Sequence, residues 1–417
     1  MSVDTMHGDR VILHCDCNSF FASVETAMNP SYRDVPMAVC GSQEERRGIV
    51  LAKNEIAKSY GIRTADTVYS AKKLCPNLVI AEPHYDQYVK FSSRVSRIYA
   101  DYTELIEPFG IDESWLDVTA SERLFGTGYE IAEQIRRRVK EEIGITVSIG
   151  VSFNKVFAKL GSDYKKPDAI TVISRENYCD IVSPLPVEDM LFVGGKTVDV
   201  LASIGVHTIG ELARIPPSLL VQKMGKYGEM LSRYARGEDD TPVVPPDDDA
   251  KSIGNGYTFK RDLVSREEIQ SGVDFLSEEI ARRMREKELV CSTVAVTIKD
   301  QYMRSVQRQA PLDAPSDICK EIAAMAMEII EDSWVKGRPI RSITVTAHNL
   351  TPKRVIIDQM DIFSKKDEPS GEERRRVRRG EVAVDDIRRR YGAGSIVRGI
   401  SIDNELGIYD PKTNKKP

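Results

Sequence analysis

Three acidic side chains offer the clearest chemistry in this sequence. Asp112 and Glu113 are adjacent, within Ile111-Asp112-Glu113-Ser114, between two short apolar runs at 104–109 and 115–119. Asp16 ends another apolar run, 10–16. Successive side chains on a strand point to opposite faces, so adjacent acids within a strand cannot share a site. At the tip of a hairpin they can. Three carboxylates at one sheet edge would suit magnesium, which binds through one or two carboxylates plus substrate phosphates. Two such ions clamp the attacking and leaving oxygens of a phosphoryl displacement. Spacing alone leaves a blander reading open, because adjacent Asp-Glu pairs in turns are commonly just solvated.

The elements that must position these acids follow from patterning. The run 10–16 reads as a buried strand leading into a helix at 19–28, and 48–52 as a further strand. Short helices are expected at 53–60 and 67–74, broken by Gly61 and Pro76, and a longer one within 84–101. Ile131, Ile135, Val139 and Ile143 recur every fourth residue, giving one apolar helix face over 128–143. Strand 146–151, helix 154–164 and strand 169–173 complete a mixed α+β layer. Residues 174–240 read as short helices separated by Gly and Pro. The stretch 241–250 (TPVVPPDDDA) reads as a linker that packs no core. Strand 252–259, helix 266–287, strands 291–299 and 304–310, helix 316–333 and strand 340–348 then form a self-contained β-α-β-β-α-β module. Beyond about 355 the chain is polar and is expected to be flexible, with one short helix around 381–391.

Composition sets outer bounds. With 417 residues, two to four domains are expected. No apolar run is long enough to span a membrane and the first residues lack an apolar secretion core, so a cytoplasmic location is expected. Seven scattered cysteines (15, 17, 40, 75, 179, 291, 319) show no CxxC or Cys/His cluster and read as reduced, buried thiols. The net charge of −5 argues weakly against nucleic acid. Its distribution argues less: acids concentrate at 238–240 and 247–249, while Arg136–Arg138 and Arg374–Arg376 are basic groups elsewhere.

The neighbours of the acids decide between the two readings. His14-Cys15-Asp16-Cys17-Asn18-Ser19-Phe20-Phe21-Ala22-Ser23-Val24-Glu25 resembles the opening motif of the Y-family, or translesion, DNA polymerases. Gly110-Ile111-Asp112-Glu113-Ser114-Trp115-Leu116-Asp117 resembles their second motif. Ser148 to Lys155 with Ala158-Lys159, then Ser162-Asp163-Tyr164-Lys165-Lys166-Pro167, resembles a third. The order and spacing fit the bacterial branch over at least residues 10–355. The resemblance implies a palm with a ferredoxin-like βαββαβ sheet (1–27 and 85–173), small fingers (28–84), a helical thumb (174–240), a linker (241–251), a separate β-α-β-β-α-β little finger (252–355) and a flexible tail (356–417). It implies two Mg2+ ions on Asp16, Asp112, Glu113 and the Cys17 carbonyl. The reaction would be low-fidelity, template-directed transfer from a dNTP to a primer 3′-hydroxyl, bypassing DNA damage, on primer–template DNA, by a monomer.

The same resemblance assigns the substrate contacts. Phe21 corresponds to the steric gate beneath the sugar, with Phe20 beside it, and Lys58 and Lys166 to triphosphate contacts. The usual pattern has Tyr where Glu55 stands and Arg where Lys58 stands; Lys offers a point charge in place of a bidentate fork. Asn54 or Lys53 is then expected to share the phosphate role. Gly194-Gly195-Lys196 resembles the thumb's helix–hairpin–helix, where backbone N–H groups meet a DNA phosphate. It lacks the GxxxxGK[ST] spacing of an NTPase loop. Arg304 and Arg308, spaced for one strand face, are expected to contact template phosphates. Gln359-Met360-Asp361-Ile362-Phe363 resembles a peptide that binds the bacterial sliding clamp, with Gln359, Met360, Ile362 and Phe363 as anchors. Two rivals share the fold: another palm phosphotransferase such as a nucleotidyl cyclase, and a catalytically silent DNA-binding scaffold. The thumb and little-finger segments weigh against the first, and the intact carboxylates against the second.

Overall fold

A computed structural model of the protein describes residues 9–246, 250–353, 371–392, 394–397 and 406–408. The chain divides into two compact units, one of residues up to 41 with 49–246, the other of 42–48 with the residues from 247 on.

The first unit is built on a five-stranded sheet in the order β5-β6-β1-β7-β8. Here β1 is Ile12–Cys17, β5 Ile106–Pro108, β6 Glu113–Asp117, β7 Val147–Ser152 and β8 Ile170–Ile173. β1 lies at the centre, antiparallel to both β6 and β7, and every one of its residues is buried. Alternation sorts them. Leu13, Cys15 and Cys17 join Val95, Ile98 and Tyr99 of helix Tyr85–Ala100 and Ile131 and Ile135 of helix Gly128–Arg138 in one core. His14 and Asp16 face the other way, toward helix Lys155–Tyr164. Sequence periodicity located all five strands and these helices. It missed β2 (Met37–Cys40) and β4 (Val79–Ala81), which flank each other in a small sheet with β3 (Val50–Lys53). Four and three residues are too short for a period to register.

Residues 174–240 are helices as expected, including Gly195–Ala202, Ile209–Arg214, Pro217–Met224 and Lys226–Ala235. The linker reading of 241–250 needs correction. Val243 is buried against Ile12, Trp115 and Ala158, and Arg10 donates to the carbonyls of Asp239 and Thr241 at 2.9 Å. A single apolar side chain, Val243, holds the start of this stretch on the sheet, which an average over a Pro- and Asp-rich segment conceals.

The second unit carries the predicted β-α-β-β-α-β order. Its sheet runs β11-β10-β12-β9, all antiparallel, with β9 Ser252–Leu263, β10 Leu289–Lys299, β11 Ser305–Ser316 and β12 Ile340–Pro352. Helices Arg266–Glu286 and Cys319–Ser333 cover one face, burying Val294, Val296 and Ile298 against Leu276, Ile280, Ile322 and Ile330. Within the segment expected to be flexible, residues 371–391 are ordered. Gly371–Tyr391 is one 21-residue helix, docked on this unit by ion pairs. Arg285, 6% exposed, bonds Glu381 at 2.5 Å and Asp385 at 2.6 Å. Arg378 bonds Asp317, Arg374 bonds Glu321 and Arg388 bonds Glu278 at 2.6–2.8 Å. Leu406 and Ile408 are buried in the same core. A helix held by charge pairs shows little apolar periodicity, so its docking is invisible to hydropathy. The clamp-like residues 359–363 lie outside the described residues.

Candidate active site

The site is assembled by register. Asp16, near the end of β1, lies directly opposite Glu113, which opens β6. Directly opposed residues of antiparallel strands share a face, so both carboxylates look toward helix Lys155–Tyr164. Asp112 precedes the strand, and its carbonyl accepts the Cys17 N–H at 3.0 Å. The helix can approach because Gly150 on β7 has no side chain. A Cβ there would lie 1.9 Å from the Ala158 carbonyl oxygen. Asn154 caps the helix by accepting from the Phe157 N–H at 2.8 Å.

That close packing delivers Lys159, which sequence reasoning placed within a motif but did not count as a site residue. Its Nζ lies 2.9 Å from Asp16 Oδ2, 2.7 Å from Glu113 Oε2 and 3.3 Å from Asp163 Oδ2. Lys166 Nζ is 2.7 Å from Asp16 Oδ2 and 2.6 Å from Asp163 Oδ1. Spacing gave one hint, since Lys159 and Asp163 are a helical i,i+4 pair. Burial raises the Asp16 pKa, but Lys159 and Lys166 outweigh it and hold the carboxyl below its ordinary value. Asp112 is pushed up to about 6, by burial first and then by the charges of Asp16 and Glu113.

His14 adds a donor that was not anticipated. It is fully buried, with Nδ1 2.8 Å from Ser162 Oγ and Nε2 3.4 Å from Glu113 Oε2. Burial, with Lys159, drives its pKa well down, so the ring is neutral. Ser162 Oγ lies 2.8 Å from both His14 Nδ1 and the Lys159 carbonyl. His14 Nε2 has no hydrogen-bond partner among the described residues. His14, Asp16 and Glu113 thus place three donor atoms within 4.8 Å of one another. Two carboxylates beside a neutral imidazole are a donor set that fits a cation, and the Lys159 ammonium bridges the carboxylates.

Phe21 and Phe20 part company. Phe20 is 3% exposed and its side chain packs in the core of the first unit. Phe21 is half-buried and stacks on Tyr88 with ring centroids 4.1 Å apart and planes 10° from parallel. The Tyr88 hydroxyl donates to Glu25 Oε1 at 2.5 Å, and Glu25 also meets His84 Nδ1 at 3.0 Å. Tyr85 closes edge-on to both rings.

The remaining assignments divide. Lys58 Nζ pairs with Glu55 at 3.4 Å, and Ser19 Oγ donates to Glu55 at 3.3 Å. Asn54 has no capacity left for phosphate: it caps helix Glu55–Ser59, accepts from Met37 N–H and donates to the Tyr32 and Val35 carbonyls. Lys53 donates to Thr64. Gly194 caps helix Gly195–Ala202, nothing crowds either glycine, and Lys196 is exposed. Arg304 and Arg308 are both exposed. Arg304 precedes β11 and its Nε bonds buried Asp300 at 3.0 Å, sharing it with Arg338. Arg308 is opposite core residue Val296, so it belongs to the helix-covered face at the sheet's edge. A strand read alone does not say which side its partners bury.

Comparison with known proteins supplies the family. The impB/mucB/samB family matches residues 15–163, and its C-terminal domain matches 250–362, together more than half of the chain. DNA polymerase IV of Acetivibrio thermocellus is 44% identical over 95% of this chain and 98% of its own length. That of Moorella thermoacetica is 38% identical over 96% and 98%, and DNA polymerase IV 1 of Bacillus subtilis 34% over 95% and 94%. A solved Y-family DNA polymerase chimera superposes with TM-score 0.72 at 23% identity, covering 81% of this chain and 98% of the chimera. Fold and sequence place the chain in the Y-family of DNA polymerases. Within it, the chain belongs to the DNA polymerase IV branch and is a DNA-directed DNA polymerase.

Proposed function

We propose that this polymerase works in low-fidelity translesion synthesis by two-magnesium nucleotidyl transfer. The observation that carries the reading is the pairing of Asp16 and Glu113 on one sheet face, with Asp112 beside them, its pKa pushed up to about 6 by burial and by their charges. Asp16, Asp112 and Glu113 would hold the metal ions, with the Cys17 carbonyl as a further ligand. Bound magnesium supplies charge neutralisation to the α-phosphate and to the attacking and leaving oxygens. The chain's own residues do the rest. Lys166 and Lys159 lie close enough to turn from the carboxylates toward a triphosphate, giving the cations that its charge requires. Phe21 sets the floor of the sugar pocket.

Within this reading, segments of the chain take the names the family gives them: palm 1–27 and 85–173, fingers 28–84, thumb 174–240 and little finger 252–355. The Gly194-Gly195-Lys196 turn offers backbone N–H groups and a charge to a DNA phosphate. In the little finger the open sheet face offers Thr293, Thr297, Thr344 and Thr346 beside Gly254 and Gly256. Such low relief lets a phosphate backbone approach closely. Residues 359–363 would bind the sliding clamp, and the active form would be a cytoplasmic monomer. Primer extension with wild type, Asp16→Asn and Asp112→Asn tests the core of the reading. Extension by wild type alone is expected. Equal extension by the variants, or none by wild type, overturns it.

A further inference from the structure

Helix Gly371–Tyr391 has two charged faces, and only one of them is used. Its docking residues Arg374, Arg378, Glu381, Asp385 and Arg388 fall within about 80° around the axis, all ion-paired to the second unit. Arg375, Arg376, Arg379 and Arg390 fall within about 100° of one another on the outward side. All four are exposed and make no ion pair among the described residues. The same side holds Glu372 near its start, and Asp386, paired with Arg389 at 3.1 Å. Within that arc four arginines against these two acids leave a local charge of +2, in a chain whose net charge is −5. Arg375, Arg376 and Arg379 sit within a single turn, about 6 Å of axis.

We propose that this outward arginine face is a second nucleic-acid contact, gripping backbone phosphates of a DNA segment other than the one the active site works on. The proposal rests on the polymerase reading only for the identity of the nucleic acid. Three features support it. Guanidinium groups suit phosphate oxygens, which accept their parallel N–H donors. The ion pairs on the opposite side fix the helix, so the row is presented without an ordering step. The helix lies over Arg266–Glu286 and Cys319–Ser333, the layer that covers one face of the sheet, so the row faces away from the sheet's open side. Exposed Tyr391, at the end of the helix, adds a ring able to stack on a base.

The test uses the full chain, a long DNA duplex and a short primer–template, with variants R375Q/R376Q/R379Q and R375K/R376K/R379K. Taking three cations away from the phosphates should lower the slope of log affinity against log salt by about 3. Binding of the long duplex should weaken about tenfold or more at low salt. The lysine variant should keep most of the binding, and both should extend the short primer–template as wild type does. Unchanged affinity and slope in the glutamine variant overturn the proposal and leave the face to an acidic protein or to solvent. Equal weakening in both variants, with the helix intact by circular dichroism, overturns it too, because a charge contact must survive Lys. If wild type fails to extend the short primer, the polymerase reading falls, while the salt slope still decides this contact.

Discussion

At the scale of single residues, Asp112 has the environment that best tests the site. Its pKa of about 6 lies above the ordinary carboxyl value of 3.8. Between those values the folded protein holds a proton that the unfolded chain has released, so stability falls as pH rises through that window. The penalty is complete above about 6. In chelator, Asp112→Asn should therefore stabilise the protein at pH 7 by about 1–2 kcal/mol, after allowance for solvent screening. Near pH 4 it should change little. Thermal melts at the two pH values check this, and the same variant should be inactive in primer extension. Phe21 offers an independent test. Phe21→Ala should lower discrimination against ribonucleotides by at least about tenfold. Tyr88→Phe keeps the stacked ring and loses only the bond to Glu25, so its effect should be smaller. Unchanged sugar selectivity in Phe21→Ala would rule out the gate.

Among the elements, helix Lys155–Tyr164 decides whether the site forms. It carries Lys159 and Ser162, and it rests directly on Gly150. In Gly150→Ala the added carbon would meet the Ala158 carbonyl and the Ser162 nitrogen at 1.9 and 2.5 Å. Both are backbone atoms, so the helix must move. A loss of about 3 kcal/mol in stability is expected, with activity falling further than stability because Lys159 shifts away from Asp16 and Glu113. A stability loss with full activity would show that Lys159 need not sit there. Helix Gly371–Tyr391 shows a different way of holding an element. Its buried contact with Arg285 is ionic, so removal strands a charge.

For the molecule as a whole, the second unit is the place where chain beyond the predicted module matters. Truncation after residue 353 removes Glu381 and Asp385 from Arg285, and Leu406 and Ile408 from the core. The second unit should lose about 2–4 kcal/mol, read as a lower unfolding midpoint. A midpoint equal to that of the full chain would mean that the docked helix contributes nothing to stability. Net charge misleads at this scale. The value of −5 sums acids and bases over the whole chain, while the outward side of helix Gly371–Tyr391 is locally basic.

The sequence by itself determined the order of strands and helices, because most are long enough for their period to show. Its three motifs determined the family, because residue type and spacing within them are retained in the chain. What it left undecided depended on partners distant in the chain. Which face Arg308 takes is decided by Val296 across the strand pair. That Phe20 is buried while Phe21 lies against Tyr88 is decided by a helix some 60 residues away. Lys159 and His14 join the carboxylates only because Gly150 lets a helix settle on the sheet. Helix Gly371–Tyr391 is held by charges on two other helices, and no local pattern records where those charges stand.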